Sequence, residues 1–182
     1  MKVRNSSGLN KIFGCPYKSD MTLSSEWKES HLVTIDLPFP MLLAWDTKQS
    51  VRKITVNKVA APYFTKAFNN IWNQARYQIK QQYGFKETAE FYNTKALELL
   101  HKLKLDLFGG TFNFRAQRGS SSISMHAYAI AIDVDPAAHG LGNKTATFPA
   151  WYVKCWADAG FAWGGNWTTR RDSMHFEITK LP

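Results

Sequence analysis

Two stretches of the chain concentrate residues able to do chemistry. The first, Ser120-Ser-Ser-Ile-Ser-Met-His126-Ala-Tyr-Ala-Ile-Ala-Ile-Asp133-Val-Asp135, joins a serine-rich loop holding one histidine to a small apolar run that ends in two carboxylates. The second, Arg170-Arg171-Asp172-Ser-Met-His175-Phe-Glu177, lies near the C-terminus. The run Ala129-Ile-Ala-Ile-Asp-Val has the dense apolar pattern of a buried strand. A carboxylate at the end of such a strand is costly unless something positive meets it. His126 stands seven residues before Asp133, too far for one helical face but within reach across a loop-to-strand bend. The expectation is that His126, Asp133 and His175 meet at one divalent metal. Asp135 could replace Asp133, because both face the same side of the strand.

Two histidines and one carboxylate leave a tetrahedral zinc site with one open position, the form of a catalytic rather than a structural site. The fourth position would hold a water, whose pKa zinc can lower to about 7. That water still needs a base as it attacks a carbonyl. Asp172, three residues before His175, is the first choice and Glu177 the runner-up. On a strand, Glu177 shares a face with His175 and could instead hold its second ring nitrogen. The oxyanion needs a fixed cation, for which Arg115 is the candidate and Arg118 the alternative. Either arginine could grip a substrate carboxylate instead. Of the spare imidazoles, His139 is expected nearest the cleft, and His101 at the surface.

These groups need a scaffold. Residues 1–30 read as irregular surface wrapping, with Gly8, Gly14 and Pro16 as turn signals. Strands are expected at 31–36 and 53–59, with Pro38 and Pro40 breaking the first before a short buried run at 41–45. Pro62 opens a helix whose stripe is Phe64, Ala67, Phe68, Ile71, Trp72, Ala75 and Ile79, and Gly84 ends it. A second helix is expected over 94–105 and a third over 150–159. Residues 111–115 read as a strand delivering Arg115 to its end, and 161–163 and 174–178 as the final strands. The element order predicts one α+β domain over 1–182, with helices against an antiparallel sheet.

At 182 residues, 45% hydrophobic and 20% charged, the chain is globular and large enough for one core without disulfides. Cys15 and Cys155 are too far apart in sequence for a metal knuckle and receive no function. No stretch reads as a signal peptide or a membrane span, so cytosolic synthesis is expected. The net charge of +9 is concentrated in residues 1–106, with 16 Lys/Arg against 9 Asp/Glu, whereas residues 107–182 hold 7 against 5. Such a surplus could attract nucleic acid, anionic lipid or an acidic wall polymer. No nucleic-acid motif accompanies it.

Arg115-x-x-Arg118-Gly-Ser, followed by Ser124-Met-His126-Ala-Tyr-Ala-Ile-Ala-Ile-Asp133, resembles the motif S-x-H-x-x-G-x-A-x-D of the D-alanyl-D-alanine carboxypeptidase-like zinc peptidases. Gly160-Phe-Ala-Trp-Gly-Gly-Asn-Trp, then Arg171-Asp-Ser-Met-His-Phe-Glu177, resembles the second motif of that family. The likeness is strong over 107–180 and looser over 36–80, and its nearest branch is the phage endolysin type with L-alanyl-D-glutamate peptidases. The resemblance implies a D-Ala-D-Ala peptidase/hedgehog-like fold with a zinc site in its cleft. It implies one zinc per chain, held by His126, Asp133 and His175. Asp172 would then be the base, Arg115 would bind substrate or oxyanion, and Ser124 would support the site.

Its substrate would be a peptidoglycan stem peptide, cut by an endopeptidase or trimmed by a D-Ala-D-Ala carboxypeptidase. A monomer is expected, without nucleic-acid or stable membrane association, that reaches the cell wall after release from the cytosol. A wall-binding zinc module without catalysis is the alternative of another class. The motif's glycine is Ala129 here, which a strand should tolerate at some cost in close approach. Residues 85–107 match nothing in the family and are expected as an insertion beside the cleft.

Overall fold

A computed structural model describes residues 6–117, 122–143 and 145–179, apart from the side chains of Ser6 and Ser7. In chain order the elements are α1 (Ser6–Phe13), α2 (Ser25–His31), β1 (Leu32–Leu43), β2 (Asp46–Asn57), α3 (Ala61–Tyr83), α4 (Ala89–Lys102) and β3 (Leu107–Gly110). There follow β4 (Ala131–Val134), α5 (Pro136–His139), α6 (Ala150–Asp158), β5 (Phe161–Trp163) and β6 (His175–Ile178). Single 3-10 turns at Met125–Tyr128 and Gly164–Asn166 precede β4 and follow β5.

The strands form one six-stranded sheet in the order β2-β1-β3-β4-β6-β5, within a single α+β domain. The sheet is mixed, not antiparallel as the element order suggested. β1 and β3 run parallel, pairing Leu42 with Leu107 and Leu43 with Phe108. A parallel neighbour needs a long crossover, and α3 and α4 supply it. β1 is also continuous through its prolines. From Asp36 to Met41 it advances five residues while β2 advances two, from Lys53 to Val51, so Pro38 and Pro40 sit in a bulge.

α3 buries Phe64, Ala67, Phe68, Ile71, Ala75 and Ile79 on one face, with a proline in its first turn and Gly84 at φ 87° as its stop. Each buried phenylalanine there contributes about 1.5–3 kcal/mol. Phe64 and Phe68 meet Trp156 of α6 edge-on, and Trp156 stacks on Phe176 of β6, which joins the helical layer to the site strands.

α4 begins at Ala89 rather than at residue 94, because the Thr88 side chain accepts from the Phe91 N–H at 3.1 Å and caps the helix there. Residues 85–107 thus carry a helix that buries Tyr92, Ala96 and Leu100, and none of them lines the cleft around His126, Asp133 and His175. The described N-terminal residues are irregular only over 14–24, between two helices. α1 and α2 close one side of the core with Leu9, Phe13 and Trp27, and the Trp27 indole N–H donates to the Phe13 carbonyl at 3.0 Å. Among the described residues, no helix is long and apolar enough to cross a membrane. Cys15 and Cys155 are free thiols.

Candidate functional site

The site lies where β4 and β6 pair. Their antiparallel register sets Asp133 directly opposite His175, and Ala131 opposite Glu177. Directly opposed residues on paired strands project to the same face, so Asp133 and His175 meet without help from any loop. His126 arrives from the 3-10 turn before β4. Ser124 caps that turn, its hydroxyl accepting from the His126 N–H at 3.3 Å. The turn then ends on Ala129 in the left-handed region, φ 54° and ψ 41°. Strand β4 therefore starts at Ala131, two residues later than the apolar pattern suggests. Glycine adopts such a backbone angle freely, whereas alanine at position 129 holds it at a cost, so the penalty at Ala129 lies in its turn conformation rather than in close approach along a strand.

His126 Nε2 lies 3.2 Å from Asp133 Oδ1, His175 Nδ1 lies 3.0 Å from the same oxygen, and the two nitrogens are 3.2 Å apart. Two donors bound about 2.0–2.1 Å from a tetrahedral zinc ion stand about 3.3 Å apart, so the triangle has the size of one tetrahedral face. The outer ring nitrogens agree with this. His126 Nδ1 is 3.2 Å from the Thr111 carbonyl, and His175 Nε2 is 3.2 Å from Glu177 Oε2. In the tautomers that donate those N–H groups outward, three lone pairs converge on one point, an arrangement that suits a cation. The group could hold a metal ion.

Electrostatics point the same way. Burial pushes the Asp133 carboxyl up, but hydrogen bonds from His126 and His175 outweigh it and hold the group well below the usual carboxylate range. Burial works against an imidazolium at His175, yet hydrogen bonds to Asp133 and Glu177 raise its pKa to about 10. The pocket thus favours positive charge at its centre, whether from a proton or a metal.

Arg115, Gln117, Ser124, Met125 and Trp167 line the cleft with the triangle, as do Arg170, Asp172 and Glu177. Asp172 is half-buried at the end of a loop whose two ends are pinned together. The Gly164 carbonyl accepts from both the Trp167 N–H and the Asp172 N–H, each at 3.1 Å. The Asp172 carbonyl in turn accepts from the His175 N–H at 3.2 Å, coupling the loop to a triangle residue. Gly164 packs so closely on that carbonyl that a side chain there would strike it. Trp167 sets its ring 5.5 Å from that of His175.

Arg115 reaches the cleft, but not from a strand. β3 ends at Gly110, whose φ of 115° turns the chain away, and residues 111–117 run irregularly beside 122–126. The Arg115 carbonyl accepts from the Ser124 N–H at 3.1 Å. Arg118 lies outside the described residues. Asp135 turns away from the triangle, with its carboxylate 3.2 Å from His139 Nδ1. It sits at φ 44°, past the end of β4, so strand alternation no longer governs its direction. His139 stacks on Phe148 at 4.0 Å behind the cleft. His101 is at the surface beside Asp106. Sequence reasoning gave no role to Trp167, Gln117 or Arg170, although Trp167 and Arg170 fall within the stretches it singled out.

Glu177 is placed to orient His175, being 7% exposed with its carboxylate on the far ring nitrogen. No curated protein and no solved structure matches the chain. Residues 118–178, which are 61 of the 182, match the family model described as D-alanyl-D-alanine carboxypeptidase. That segment holds all three donors of the triangle together with Asp172 and Glu177, and the match, over about a third of the chain, supports a peptidase acting on cell-wall peptides.

Proposed function

We propose that the chain is a zinc metallopeptidase that hydrolyses peptide bonds in peptidoglycan stem peptides, as an endolysin-type endopeptidase cutting an L-Ala-D-Glu or similar bond. The observation that carries this reading is the converging triangle of His126, Asp133 and His175, with Asp172 on the same cleft. These three residues would hold one zinc ion. When bound, the ion supplies Lewis acidity, polarising a carbonyl and lowering the pKa of a water to about 7.

Asp172 accepts the proton of the attacking water on its carboxylate and passes it to the departing amine nitrogen. The link from its backbone carbonyl to the His175 N–H keeps base and ligand in fixed relation. Glu177 holds the His175 ring so that Nδ1 presents its lone pair to the centre. Arg115 offers a guanidinium to the developing oxyanion or to a substrate carboxylate. Ser124 keeps the His126 turn closed.

The description of the matching family favours a second reading, in which the same machinery removes a C-terminal D-alanine. Mass spectrometry of purified sacculi digested with and without chelator separates the two. Soluble fragments with new N-termini inside the stem, lost on chelation, are expected. Free D-alanine as the sole product would replace the endopeptidase reading with the carboxypeptidase one. Metal binding without any cleavage would leave a wall-binding module.

A further inference from the structure

The doublet Arg170-Arg171 divides into one arginine the fold consumes and one it leaves available. Arg171 donates from Nε to Ser173 Oγ at 3.3 Å and from Nη2 to the Ala146 carbonyl at 2.9 Å, and its guanidinium lies 5.8 Å from the Trp163 ring. These contacts clasp the 140s loop to the base of the site. Arg170 is exposed, and no hydrogen bond or ion pair ties its guanidinium to any described residue.

Arg170 nevertheless lines the cleft of the donor triangle. It also lines an adjoining groove formed with Leu141, Gly142, Trp167, Thr168 and Thr169, so it stands where the two depressions meet. A guanidinium at such a junction, with none of its donors spent on a described residue, suits a planar carboxylate, which it can take bidentately. The groove beyond it mixes an indole face, a leucine and two threonines, a surface suited to a short peptide backbone. Arg115 enters the cleft from another segment, so two cations from separate loops line one cleft.

We propose that Arg170 forms a carboxylate subsite at the junction of cleft and side groove, so that the preferred substrate is a peptide bearing a free carboxylate beyond Trp167, away from the scissile bond. This rests on the peptidase reading. It deepens that reading by assigning substrate selection to a residue outside the reaction centre. Stem peptides supply such groups, because a γ-linked glutamate leaves its α-carboxylate free and the chain ends in another.

The test uses the full chain, as wild type, Arg170→Ala and Arg170→Lys, with matched stem peptides whose carboxylates are either free or amidated one at a time. Wild type should favour one carboxylate form through a lower KM, about tenfold. Arg170→Ala should lose that preference by raising KM for the carboxylate peptide alone, and Arg170→Lys should restore part of it. Calorimetric binding of the same peptides separates this inference from the peptidase reading. A carboxylate preference in binding that Arg170→Ala abolishes supports the subsite even if no bond is cut. Equal losses on both peptides, or no change in preference, would overturn it.

Discussion

His126, Asp133 and His175 are 4%, 9% and 7% exposed, and backbone pairing fixes each of them: register across β4 and β6 for two, a capped turn for the third. Arg115, Trp167, Arg170 and Asp172 line the same cleft but stand on connecting segments, more open to solvent. The donor triangle is therefore part of the core, and its geometry is as stable as the sheet. The rim is set by a few hydrogen bonds at the base of a loop, such as those to the Gly164 carbonyl. Under the proposed peptidase reading, the contrast implies a division of labour, in which the sheet would bind the ion while the loops would handle proton transfer and substrate choice.

The sharpest way to break that division is to remove one residue from each side. His126→Ala should empty the site, with metal content by emission spectrometry falling from about one per chain to near zero and hydrolysis falling to background. Asp172→Ala should lower kcat by about 10²–10⁴-fold while metal content stays at that of wild type. If Asp172→Ala lost its metal as His126→Ala does, the loop would belong with the triangle and the division would fail.

Two glycines lie against the two halves, and they sharpen the comparison. Gly109 passes the Asp133 backbone closely, and Gly164 packs on the Asp172 carbonyl. Gly164→Ala must move that carbonyl, an overpacking expected to cost about 1–3 kcal/mol in denaturant unfolding. Because the displaced group is the base loop, kcat should fall while metal binding persists. Glu177→Gln acts on the other half. It keeps a hydrogen-bond acceptor for His175 Nε2 but removes the charge, and metal affinity in a chelator competition should drop about 10–100-fold.

The sequence made the triangle legible for the reason that makes it rigid. Strand alternation put Glu177 on the face of His175, and the buried run placed a carboxylate at its end. Alternation left Asp133 and Asp135 equal, however, and only the family resemblance favoured Asp133. The structure separates them because Asp135 lies past the strand at φ 44°. The rim was less legible because its residues owe their positions to non-local contacts. Arg170 and Arg171 are the same residue type side by side, and only the contacts with Ser173, Ala146 and Trp163 separate them. The direction of β3 was likewise hidden, since a parallel pairing across the α3–α4 crossover leaves no local mark. In the N-terminal region, α1 and α2 are too short for helical periodicity to stand out, and their apolar residues are organised by the core they cover.

Ala129 is the place where the sequence misled most directly, and it yields the smallest expected effect. Alternating Ala and Ile suggested a strand, but the turn carrying His126 needs a left-handed residue there. Relief of that backbone strain in Ala129→Gly is worth about 1–2 kcal/mol. Against it stand a buried methyl, about 0.8 kcal/mol, and the greater freedom of glycine in the unfolded chain, about 0.4–1 kcal/mol. The terms nearly cancel, so urea midpoints of the two proteins should agree to within about 1 kcal/mol, with metal affinity unchanged. A loss of more than about 2 kcal/mol would mean that the alanine methyl packs a contact the turn depends on. The ion-binding half of the site would then rest on side-chain packing at Ala129 as well as on backbone register.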